Sequence, residues 1–119
     1  MENDVLNTLQ QLSKIGESHG ITLNYTDMKF FLEIETLTKS YGIMDSDNHS
    51  YIQFSRDELS KKTCLSKTTV QKCIYKLKKC NLLHEVSERN FRSNENGEYN
   101  INLPNKIYIN FDSIHFYHQ

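Results

Sequence analysis

The chain has 119 residues, 37% of them hydrophobic and 24% charged, with a net charge of −1 at pH 7. That length fits a single domain, 1–119, with a core of its own. No apolar run approaches the roughly 20 residues of a membrane helix. No basic stretch leads into an apolar segment at the N-terminus, so a cytoplasmic, membrane-free protein is expected.

In chain order, Asn3 or Asp4 can cap a first helix, in which Val5, Leu6, Leu9, Leu12 and Ile15 recur at helical spacing. Gly16 and Gly20 bracket its end. Residues 1–20 thus read as a helical extension, which either packs on its own domain or zips to a second copy. Thr26 is the expected N-cap of the next helix, whose stripe is Phe30, Phe31, Ile34, Leu37 and Tyr41, with Gly42 as its stop. Asp45–Ser50 reads as a loop, and Tyr51–Phe54 as a brief strand.

Ser55-Arg56-Asp57-Glu58 is an S-x-x-E capping box opening a short helix that ends near Thr63, with Leu59 as its main buried residue. Cys64 and Leu65 form a turn, Ser66 caps the next helix, and Asn81 can end that helix in a left-handed conformation. Leu82–Val86 reads as a strand. Ser87–Asn105 is a polar stretch, with its clearest turn signal at Asn94–Gly97. Tyr99–Leu103 and Lys106–Phe111 alternate as strands do, separated by Pro104.

Charge singles out the middle of this string. Residues 1–54 carry −5, residues 55–80 carry +6 and residues 81–119 carry −2. A basic block in an acidic chain is the footprint expected for phosphate contact, although a solvated Lys-rich helix face gives the same count. The pattern within the block is more telling. Two helices whose caps lie eleven residues apart, Ser55 and Ser66, must cross steeply, so that the first props the second. At about 100° per residue, Val70, Cys73, Ile74 and Leu77 share one stripe of the second helix. Thr68, Lys72, Tyr75 and Lys79 lie opposite, flanked by Thr69, Gln71 and Lys76. Residues 67–80 contain no acid. Thr and Gln can bond base edges, and Lys can reach guanine acceptors or phosphates.

The segment FSRDELSKKTCLSKTTVQKCIYKLKKCNLL, Phe54–Leu83, resembles the winged helix-turn-helix superfamily. Leu59, Leu65, Ser66, Val70, Ile74, Leu77 and Leu82-Leu83 match its core and cap positions. Asn81 stands where the family commonly has Gly. NGEYNINLPNKIYIN, Asn96–Asn110, looks like the wing and returning strand of such domains in phage and plasmid replication proteins, with Asn105, Tyr108 and Ile109 matching an Asn-x-x-Tyr-x-aliphatic strand. The likeness spans about residues 26–111. It implies an α+β fold: a winged-helix core over 21–112, the N-terminal helix, and a tail at 113–119. It also implies that Ser66, Lys67, Thr68, Gln71, Lys72, Tyr75 and Lys76 face a DNA groove. Thr69 and Lys79 join them from the wheel, and Arg89 and Arg92 would come from the wing. The wing also carries Glu88, Glu95 and Glu98.

Catalysis, cofactors and metals are not expected. His115-Phe116-Tyr117-His118 has two residues between its histidines, where nicking enzymes have one. Cys64, Cys73 and Cys80 are odd in number and have no C-x-x-C spacing. A zinc site with His84 would need all four groups to converge. No nucleophile elbow and no glycine-rich phosphate loop occur. The expected role is sequence-specific binding of double-stranded DNA by a plasmid or phage accessory at an origin of replication or transfer. The alternatives are a transcriptional repressor with the same binding mode, or an adaptor that uses the fold for protein contacts.

Overall fold

A computed structural model describes residues 2–87, 89–94 and 97–110. Helix α1 spans Glu2–Ser18 and α2 spans Tyr25–Tyr41. Strands β1, Ile43–Met44, and β2, Ser50–Ile52, form a small hairpin. Helices α3, Arg56–Thr63, and α4, Lys67–Lys79, follow. Strands β3, Leu83–Val86, β4, Arg89–Asn94, β5, Gly97–Asn102, and β6, Lys106–Ile109, complete the described chain.

Helix α1 ends where the glycines suggest. Gly20 is left-handed at φ 72°, and the Ile21 amide donates to the Gly16 carbonyl at 2.8 Å. A side chain at Gly16 would meet that Ile21 carbonyl oxygen at 2.7 Å, so the close return of the chain requires glycine there. The C-terminal half of α1 packs on its own domain: Leu12 and Ile15 join Leu23 in the core, while Leu6 stays exposed.

The cap of α2 differs from the sequence expectation. It is Asn24, not Thr26: its side chain accepts from the Asp27 amide at 2.8 Å, and Asp27 accepts from the Asn24 amide at 2.9 Å. Asn and Asp satisfy two orphan amides reciprocally, as Ser and Glu do in the commoner box. One face of α2 then buries Phe30, Phe31 and Ile34, whereas Tyr41 is left exposed at its end.

The main sheet is antiparallel, in the order β1-β2-β6-β3. Its inner face carries Ile52, Ile107, Leu83 and Ile109, packed with Leu59 and the α4 stripe. Full burial of such side chains contributes about 1.5–3 kcal/mol each. Burial, rather than propensity, therefore holds α3, which is too short to be a stable helix alone.

The polar stretch after β3 contains a strand that the sequence reading missed. Strands β4 and β5 pair from Arg89↔Asn102 to Asn94↔Gly97, forming a separate two-stranded ribbon. Its register is offset by one residue from that of β3 and β6, which runs from Leu83↔Ile109 to Val86↔Lys106. Pro104, which has no amide to donate, lies at this break. The architecture is α+β: a winged helix-turn-helix with an additional N-terminal helix. Among the described residues, no helix is long and apolar enough to cross a membrane.

Candidate nucleic-acid interface

The helix-turn-helix is built by local signals that all operate. Ser55 accepts from the Glu58 amide and Glu58 accepts from the Ser55 amide, each at 3.1 Å. Cys64 adopts the left-handed conformation, φ 59° and ψ 29°, which turns the chain after α3. The Leu65 amide reaches the Ser60 carbonyl at 3.2 Å, and the Ser60 hydroxyl donates to the Leu65 carbonyl. Ser66 then caps α4 by accepting from the Thr69 amide at 3.1 Å.

At the far end of α4, Asn81 is left-handed at φ 59°. The Leu82 amide donates to the Leu77 carbonyl at 2.9 Å, and the Asn81 amide to the Lys78 carbonyl at 3.1 Å. These two bonds make a Schellman motif, with the buried Leu77 and Leu82 as its apolar pair.

The buried stripe of α4 is the one expected: Val70, Cys73, Ile74 and Leu77 are all buried. Ser66, Lys67, Thr68, Gln71, Lys72, Tyr75 and Lys79 are exposed, and Thr69 is half-buried. Tyr75 is 58% exposed, and the Lys79 ammonium lies 5.3 Å from its ring centroid. These side chains form one continuous outer face of hydroxyls, an amide, a phenol and ammonium groups. Lys67 is partnered on that face by Asp57 at 2.8 Å, an exposed pair that holds the Asp57 carboxyl below its usual range.

Lys76 departs from the expectation. Its ammonium turns towards α2 and bonds the buried Asp27 carboxylate, which also completes the Asn24 cap. The position flanks the apolar stripe, and a buried carboxylate attracts the nearest flexible cation. Cys73 lies beside this pair. Burial first, and the Asp27 carboxylate next to it, push the thiol up to about 12.

A second polar node ties the helices to the root of the wing. Glu85 on β3 accepts from Arg56 Nη2 at 2.6 Å and from Lys78 Nζ at 3.0 Å. Burial works against its charge, but the bonds from Arg56 and Lys78 outweigh it, so its carboxyl titrates below the usual range. Arg56 Nε also donates to Gln71 Oε1 at 2.6 Å. Sequence reasoning passed over Arg56, Lys78, Glu85 and Asp27 as positioning groups. Their partners are mostly far away in the chain, and no local spacing announces them.

Arg89 and Arg92 lie on β4, opposite Asn102 and Tyr99. The His115–His118 motif lies outside the described residues. Among the described residues, no group of three or more His, Cys, Asp and Glu side chains could hold a metal ion. Cys73 and Cys80 point into the core, and Cys64 is exposed. A hollow of ≈590 Å³ on the sheet is lined by Asp45, His49, His84 and Tyr108 among others, and by none of the exposed α4 residues.

No protein-family model matches the sequence, and no curated protein matches it. A solved structure described as the N-terminal domain of a DNA binding protein shares the fold, with a TM-score of 0.51 and 18% identity. The similarity covers 73% of this chain but 60% of that one, so the chain matches only part of that structure's length.

Proposed function

We propose that the protein binds double-stranded DNA in a sequence-specific way, with α4 as the recognition helix and the β4–β5 ribbon as a wing beside it. The observation that carries this reading is the outer face of α4, where Thr68, Gln71, Lys72, Tyr75 and Lys79 stand exposed on a helix without acids. Hydroxyl and amide groups suit base edges, and ammonium groups suit phosphates. The fold likeness to a domain described as DNA binding supports the same reading. The chemistry required is recognition and not catalysis. The biological setting we favour is an accessory of a plasmid or phage, acting at an origin of replication or transfer. Pairing of two copies through α1, where Leu6 is 55% exposed, would suit a palindromic site.

Gel shifts with random and genomic duplexes at low salt test the proposal. The expected result is duplex binding that weakens steeply as salt rises, with some sequences retained longest. Absence of salt-sensitive duplex binding would overturn it.

A further inference from the structure

The polarity of the Gln71 side chain is fixed from behind. Gln71 lies on the exposed face of α4, four positions before Tyr75 and three after Thr68. Arg56 Nε donates to it at 2.6 Å. A guanidinium has donors only, so the amide atom facing Arg56 is the carbonyl oxygen Oε1. Arg56 does not choose its own orientation freely. Its Nη2 is held at 2.6 Å by Glu85, whose side chain is 8% exposed and is further bonded by Lys78 at 3.0 Å. The relay therefore runs from a largely buried carboxylate on β3, through an arginine on α3, to an amide on the recognition helix.

The geometry points to Gln71 as a residue that reads a keto base, guanine or thymine, with Arg56 as the positioning residue that sets this preference. The inference rests on the reading of α4 as a groove-binding helix. Free glutamine suits adenine, because its oxygen accepts from N6 while its nitrogen donates to N7. With Oε1 engaged by Arg56, Gln71 presents the two N–H groups of Nε2. Guanine offers O6 and N7 and thymine offers O4, all acceptors. Cytosine sets only an amino group against those donors, and adenine has N7 as its one acceptor there, beside an N6 amino group that opposes the second donor. Orientation of a contacting group by a partner behind it is the same device that fixes metal-ligating histidines.

The test is selection from a randomised duplex pool, followed by sequencing, with the full chain and three variants. Wild-type protein should show a position with about tenfold preference for guanine or thymine over adenine, a factor in the range for one good base contact. Gln71→Ala, at an exposed site, should erase that preference at that position alone. Arg56→Lys keeps the charge but offers a single ammonium, which Glu85 should capture. Gln71 is then released, and the same position should move towards adenine. Arg56→Met should do likewise, and thermal melts check that both Arg56 variants fold. The inference is overturned if the Gln71-dependent position prefers adenine in the wild type, if Gln71→Ala changes no position, or if folded Arg56 variants keep the keto preference. Salt-sensitive duplex binding that survives in those cases would leave the DNA-binding reading standing. If no variant and no wild type binds duplex, both readings fall.

Discussion

Glu85 shows how one side chain can serve the whole assembly. It is a strand residue with a mostly buried carboxylate, a costly placement unless cations meet it. Arg56 and Lys78 do so from two different helices. Their bonds outweigh burial and hold its pKa below the usual value. A group with a depressed folded pKa contributes stability above its unfolded pKa of about 4.3. That contribution is lost as pH falls through the lower folded value. Asp45 and Asp57 are also shifted downwards, but they are common to wild type and variant. Thermal melts between pH 6 and about 3 should therefore show a shallower acid-induced loss in Glu85→Gln than in wild type. Parallel pH profiles would contradict this account of the carboxylate.

The elements divide into those legible in the sequence and those that were not. The ends of α3 and α4 were legible because Ser55, Glu58, Ser66 and Asn81 act on amides and carbonyls within a few residues. The buried stripe of α4 was legible because its period is that of the helix. The start of α2 was misplaced by two residues, since Asn24 and Asp27 make the reciprocal box with unfamiliar side chains. Strand β1 has only two residues, too few to show any alternation. Strand β4 escaped because RNFRSN has no apolar alternation, and its definition comes from the ladder to β5. The pairing of Lys76 with Asp27 was not legible, because its partner is 49 residues away.

That last pair has a measurable consequence for how α2 and α4 dock. Lys76 is 29% exposed and Asp27 only 4%, so removing the lysine strands a buried carboxylate. Breaking a fully buried pair costs about 3–5 kcal/mol, and the partial wetting of Lys76 lowers the expectation to about 2–3 kcal/mol for Lys76→Met. Adding Asp27→Asn should recover most of the loss, because an amide oxygen still accepts from the Asn24 amide while the stranded charge is gone. Denaturant unfolding of the two single variants and the double variant reads the coupling. Strictly additive losses would contradict a direct pair.

At the scale of the molecule, a near-neutral chain places its net positive charge on one helix pair and carries a separate two-stranded ribbon after β3. Total charge hid this, whereas segment charge revealed it: +6 over residues 55–80 against −5 before and −2 after. The structure then divides those cations by task. Arg56, Lys76 and Lys78 are tied into ion pairs with Glu85 and Asp27, and Lys67 pairs with Asp57. Lys72 and Lys79 stand on the outer face of α4. A charge count treats all of these as equal, whereas the proposed DNA-binding reading assigns phosphate contact to those on the outer face.

The salt dependence of duplex affinity separates the two groups most directly. With α4 against DNA, Lys72→Ala should reduce the slope of log affinity against log salt by about 0.9, the value for one lost phosphate contact. Lys76→Met should leave the slope unchanged, because its ammonium is held by Asp27. An unchanged slope in Lys72→Ala, or an equal loss in Lys76→Met, would contradict the placement of α4 in the groove.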